Sequence, residues 1–187
     1  MGFKQLISRS FHNVELTDES FAFFITGCPL LQKLDLSSPV GLLNPVITAP
    51  NITQIHISDD GTETSTLTIA CPKLITLDVL ITRIVLSVNG LFFHELSCAV
   101  CCLKMERGSS LVKLWLQVLD EHATNISFAT LIDIVSNFKS LKKLLIHIRE
   151  EWIEGENTDM DVPLFRLLEG LPHLEFLHMD GLFAQVK

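Results

Sequence analysis

Cys71-Pro72-Lys73-Leu74-Ile75-Thr76-Leu77-Asp78-Val79 is the stretch whose reading decides the fold. Written as Pro-x-L-x-x-L-x-L, with L any apolar aliphatic residue, the phrase returns three times. It is Pro29…Leu31…Leu34…Leu36, then Pro50…Ile52…Ile55…Ile57, then Pro172…Leu174…Leu177…Met179. Without the proline it reads Leu111…Leu114…Leu116 and Leu141…Leu144…Ile146. A degenerate copy is Phe93…Leu96…Cys98, and a weaker one Phe3…Leu6…Ser8. Three apolar residues at that spacing prove little, because 48% of the chain is apolar. About a tenth of all windows would then match by chance. The proline phase is more specific: four of the seven prolines stand two residues before the first aliphatic.

The first apolar positions, 3, 31, 52, 74, 93, 111, 141 and 174, are separated by 28, 21, 22, 19, 18, 30 and 33 residues. Most of these steps lie in or near the roughly 20–29 residues of a leucine-rich repeat. The fold expected is an α/β solenoid of the ribonuclease-inhibitor-like kind. It is a right-handed curved array with a parallel concave β-sheet, helices in the first and last repeats, and a mostly β or irregular convex side in the middle. Residues 1–187 then form a single domain of seven or eight repeats. Apolar residues begin almost at once (Phe3, Leu6, Phe11, Val14, Leu16) with no polar capping unit before them, so the array reads as part of a longer one.

Side chains alternate across a strand, so the second and third aliphatics of each copy face the core. The residues beside them face the concave side. Stacked in order, the central column is Asp35, His56, Asp78, Ser97, Trp115, Leu145, His178. One flank is Lys33, Gln54, Thr76, Glu95, Lys113, Lys143, Phe176, and the other Ser37, Ser58, Leu80, Ala99, Gln117, His147, Asp180. The carboxyl-terminal third thus places Lys113, Trp115, Gln117, Lys143, Leu145, His147, Phe176 and His178 on one surface. Apolar and aromatic groups mixed with cations are the composition of a partner-binding hot spot.

Between the copies, Thr17 to Gly27 predicts a helix. Thr17 suits the N-cap, Asp18 and Glu19 the first turn, Gly27 a left-handed C-terminal position, and Phe21, Phe24 and Ile25 one apolar face. Residues 37–110 have short steps, rich in Thr, Ile, Val and Ser, and predict strands on both sides with a loop at Asp59-Asp60-Gly61. Helices return at Phe128, Leu131, Ile132, Val135 and at Leu164, Leu167, Leu168, Leu171, the second opened by Asp161 with Pro163 in its first turn and closed by Gly170. Residues 150–159 read as an acidic, solvated surface loop.

Composition excludes several classes. With 19% charged residues among 48% apolar ones, disorder is not expected. A net charge of −8 argues against a general grip on nucleic acid, which needs clustered Lys and Arg. No run is long and uncharged enough to span a bilayer, and the start lacks a signal-peptide pattern, so no membrane contact is expected and the location expected is cytoplasmic, nuclear or both. Five cysteines (Cys28, Cys71, Cys98, Cys101, Cys102) without an export signal point to reduced thiols. Cys28 and Cys71 share one repeat position and read as small buried fillers. His94, Cys98, Cys101 and Cys102 invite a zinc reading, but adjacent cysteines rarely both ligate one ion and Cys98 is wanted in the core. No phosphate-binding glycine loop is present, and the seven histidines fall in no catalytic motif. No cofactor, no metal and no enzyme activity are expected.

Val14-Glu15-Leu16-Thr17-Asp18-Glu19-Ser20-Phe21, followed by Gly27-Cys28-Pro29-Leu30-Leu31-Gln32-Lys33-Leu34-Asp35-Leu36, resembles the leucine-rich region of plant F-box proteins. In that family such a helix leads into repeats that lack one, as at Ala49-Pro50-Asn51-Ile52. The resemblance covers most of residues 11–180. It implies a substrate-recognition module of an SCF-type ubiquitin ligase, holding a protein substrate or signalling partner on the concave face. No stretch here matches the F-box itself, so the adaptor Skp1 is a partner only if an F-box lies outside this chain. The alternative is the leucine-rich-repeat sensing fragment of an intracellular immune receptor.

Overall fold

The computed structural model describes residues 3–58, 64–80, 85–89, 94–99, 102–105, 111–118, 135–148 and 168–180. The elements are β1 (Ser8–His12), α1 (Asp18–Thr26), β2 (Lys33–Ser37), β3 (Val46–Thr48), β4 (Gln54–Ser58), β5 (Thr66–Ala70) and β6 (Thr76–Leu80). They continue with β7 (Val85–Asn89), β8 (Glu95–Ala99), β9 (Cys102–Met105), β10 (Lys113–Val118), β11 (Lys143–Ile148) and β12 (Phe176–Asp180). One eight-stranded sheet has the order β1-β2-β4-β6-β8-β10-β11-β12, and a four-stranded sheet the order β3-β5-β7-β9. Every pairing is parallel. From β2 to β10 the chain alternates between the two sheets, one strand in each. It is a parallel β-sheet solenoid.

The repeated phrase explains how each coil is closed. At Cys28-Pro29-Leu30-Leu31 the amide of Leu31 donates to the carbonyl of Cys28 at 3.1 Å, and Leu74 donates to Cys71 at 3.0 Å. Leu141 does the same to Phe138, and Leu174 to Leu171. These are four-residue turns, and in those that start at Cys28, Cys71 and Leu171 a proline presets the backbone angle of the second residue. The turn's first residue, whether Cys28, Cys71, Phe138 or Leu171, is buried in each case, and so is Ala49 at the matching position of its copy. The position therefore asks for an apolar filler, and the cysteines supply one.

After the turn the strand alternates. Leu34 and Leu36, Ile55 and Ile57, Leu77 and Val79, Leu96 and Cys98, Leu114 and Leu116, and Leu144 and Ile146 are all buried, none more than 3% exposed. They stack in register across the sheet, Leu34 beside Ile55 and Ile55 beside Leu77. Ile47, Leu67, Ile69, Leu86 and Val88 of the second sheet belong to the same buried cluster. The expectation of strands on both sides of the middle holds there, as a continuous second sheet.

Three expectations are corrected, and those that fall outside the described residues are bounded. The first copy does not run Phe3…Leu6…Ser8: β1 pairs Arg9 with Leu34 and Phe11 with Leu36, so the copy is Leu6…Arg9…Phe11. Arg9 hides the pattern because it fills an aliphatic slot while staying exposed. Its guanidinium lies 4.8 Å from the centre of the Phe11 ring. The step from this copy to the next is 25 residues, inside the repeat range. Thr17 does cap α1, its hydroxyl accepting from the Ser20 amide while the Ser20 hydroxyl accepts from the Thr17 amide. Gly27, however, ends the helix in the right-handed region (φ −74°), because its amide continues the helical bonding to the Phe23 and Phe24 carbonyls. Phe21 and Ile25 are buried, and Phe24 packs edge-on to Phe11 at 5.0 Å.

In the later coils residues 135–136 and 168–170 are helical. Val135 and Leu171 are buried, but Leu168 is exposed and does not belong to the inward face. Phe128, Leu131, Ile132, Leu164, Leu167, the 59–61 loop and the 150–159 acidic loop lie outside the described residues.

Candidate binding face

The outer face of the eight-stranded sheet carries the three columns expected from the alternation. In register, Asp35 pairs with His56, His56 with Asp78 and Asp78 with Ser97. Ser97 then pairs with Trp115, Trp115 with Leu145, and Leu145 with His178. The flanking column runs through Thr76, Glu95, Lys113, Lys143 and Phe176. All eight residues expected at the carboxyl-terminal third therefore lie on neighbouring strands β10, β11 and β12. Trp115 is 42% and Phe176 48% exposed. Lys143, His147 and His178 are exposed, and Lys113 and Leu145 are half-buried. Gln117 and Asp180 take the expected backbone register with Ala99 and His147, and their side chains lie outside the described residues, as does any His147–Asp180 contact.

Toward the amino-terminal end the face becomes a polar network. The Ser10 hydroxyl donates to Asp35 Oδ2 at 3.0 Å, and the Ser37 hydroxyl donates to Asp35 Oδ1 at 3.1 Å. His12 Nε2 lies 2.7 Å from Ser10 Oγ. With its proton directed to Asp35, Ser10 accepts from the imidazole N–H. A serine nucleophile would need the reverse, its proton held by the imidazole. One coil further on, His56 Nδ1 lies 2.9 Å from Asp78 Oδ2. The other oxygen, Asp78 Oδ1, is shut off from solvent and has no hydrogen-bond partner among the described residues.

Next to this pair the face opens into a cleft of about 180 Å³ lined by Thr76, Asp78, Glu95, Ser97, Lys113 and Trp115. Its cause is a small residue in a large column. Adjacent strands lie about 4.8 Å apart, so Asp78 and Trp115 stand on either side of Ser97, whose side chain is too short to fill the space. Glu95 and Lys113 approach at 3.7 Å with both side chains nearly half-exposed, a weak contact in water. The columns expected from the alternation contain every one of these positions, while the expected hot spot includes only Lys113 and Trp115 among them. The signal that could have found the rest is Ser97 lying between a carboxylate and an indole.

Cys98 is buried in the core, which removes it from the surface where a zinc site with His94 would form. The placement of Cys101 and of the Cys102 side chain lies outside the described residues. Among those residues no group of three or more His, Cys, Asp and Glu side chains is arranged to hold a metal ion. Nor is any helix among them long and apolar enough to cross a membrane. Comparison with known proteins found no family model, no curated protein and no solved structure that matches this chain. The class that the fold defines is a parallel β-solenoid with an open, residue-rich sheet face.

Proposed function

We propose that this chain is a protein-interaction module of the leucine-rich-repeat kind, which holds a polypeptide against the outer, concave face of its eight-stranded sheet. The observation that carries the proposal is the exposure of Trp115 and Phe176, 42% and 48%, on a sheet whose inward residues from β2 to β11 are sealed in the core. Large aromatic side chains left open on a rigid face, among cations and half-buried aliphatics, are what a partner surface provides. The steps between copies and the Cys-Pro-x-Leu turns support the leucine-rich-repeat assignment. The module performs recognition and no chemistry of its own. In keeping with the resemblance to plant F-box proteins, the partner is a substrate presented for ubiquitin transfer in the cytoplasm or nucleus, with Skp1 engaged through an F-box outside these residues.

The test is capture of partner by the immobilised chain, identification of the captured protein, and repetition with that protein purified. Trp115→Ala combined with Phe176→Ala lowers affinity by about 30-fold, at roughly 1 kcal/mol for each truncated anchor. Val46→Ala, an exposed residue of the second sheet, leaves it unchanged. Retention of binding by the double variant, or its loss in Val46→Ala, defeats the reading. Direct binding of purified Skp1 to the chain defeats the part that assigns Skp1 to an F-box elsewhere.

A further inference from the structure

We infer that the cleft between β6, β8 and β10 receives one arginine side chain of the bound polypeptide. The inference rests on the reading of this face as a polypeptide-binding surface and names the chemistry of one contact on it. Three properties of the cleft select the occupant. The first is size: at about 180 Å³ it falls below the roughly 300–1,000 Å³ of small-molecule sites and suits a single side chain.

The second is charge. Asp78 and Glu95 both line the cleft. Asp78 is held by His56 through Oδ2, while Oδ1 has neither solvent nor a hydrogen-bond partner among the described residues. The Asp78 side chain as a whole is 34% exposed, so an entering cation meets a carboxylate that His56 satisfies on one side only, with the modest gain of a partly hydrated pair. The chain as a whole carries −8, which draws a basic segment toward it.

The third is the wall across Ser97 from Asp78, the open indole of Trp115. A planar guanidinium stacks flat on an indole and meets a carboxylate through a bidentate fork, which a compact ammonium group, for all its three donors, does not. Lys113 is the cleft's own cation. It sits 3.7 Å from Glu95 and competes with the arriving arginine for it.

The experiment uses the full chain with Trp152→Phe, which leaves Trp115 as its single tryptophan. Trp115 fluorescence is titrated with N-acetylarginine amide, N-acetyllysine amide and N-acetylcitrulline amide, the last having the shape of arginine without its charge. Arginine gives a saturable change, and citrulline and lysine bind at least about tenfold more weakly. Asp78→Asn and Glu95→Gln each weaken arginine severalfold, Ser97→Leu fills the notch and abolishes the response, and Lys113→Gln tightens it. Glu95 is nearly half-exposed, so its variant keeps the fold even where Asp78→Asn, by breaking the His56 contact, does not. The inference is overturned if arginine gives no saturable change, if citrulline or lysine matches it, if Glu95→Gln leaves affinity unchanged, or if Lys113→Gln weakens binding. Should arginine fail while polypeptide capture still depends on Trp115 and Phe176, only the arginine contact falls and the interaction face stands.

Discussion

Replacing Leu77 by alanine tests the stacking on which the whole sheet depends. Leu77 is fully buried in β6, in register with Ile55 on one side and Leu96 on the other, both buried. Truncation removes the apolar transfer energy of the lost methyl groups and leaves a cavity. Hydrogen-bonded strands on both sides hold that cavity open, so the loss belongs in the middle of the range for such changes, about 3–4 kcal/mol. Two residues earlier, Ile75 is also aliphatic but stands at a variable position of the phrase, is 45% exposed and lies outside the strand. Ile75→Ala changes stability by no more than about 0.5 kcal/mol. In urea unfolding followed by far-ultraviolet circular dichroism, a slope near 2 kcal/mol/M puts the Leu77→Ala midpoint roughly 1.5–2 M lower, with the slope unchanged. Equal midpoints for the two variants, or a loss below about 1 kcal/mol for Leu77→Ala, would refute the assignment of alternate residues to a common core.

Thr17→Ala removes the cap of α1 and lowers stability by about 1 kcal/mol, read as a lower thermal midpoint. Burial raises the pKa of the Cys71 thiol. Below the ordinary thiol range both folded and unfolded chains keep the proton; above it the unfolded chain releases it first, so stability falls as pH climbs toward the raised value. Cys71→Ala shows a shallower alkaline loss in urea midpoints measured across that range. At Glu175, the Lys142 ammonium donates a hydrogen bond at 2.8 Å and lowers the carboxyl pKa. Lys142→Gln returns that carboxyl toward the ordinary range in an NMR titration of its side chain.

The fold was legible to the extent that it is local. Proline before the first aliphatic and a period of two after it are properties of nine consecutive residues, and they suffice to place Leu74, Leu77 and Val79 inward and Thr76 and Asp78 outward. Because every copy repeats the same offset, the columns from Asp35 to His178 could be written down in order, and the register agrees. The first copy failed for a reason that is also local. Arg9 occupies an inward slot of the phrase yet lies along the Phe11 ring, so a search for aliphatics slides to Phe3. Gly27 was misread because glycine permits the left-handed conformation without requiring it.

From β2 onward the sequence by itself determined which side of each strand of the eight-stranded sheet faces the core, where its turns fall, and which residues share a column, since alternation and turn chemistry act within a few bonds. Only the tertiary structure decided that His56 grips Asp78, that Ser97 leaves a cleft between a carboxylate and an indole, and that Trp115 and Phe176 stay open. Those outcomes depend on side chains brought together from strands some twenty residues apart, where size and rotamer, not periodicity, settle what fills the space between neighbours.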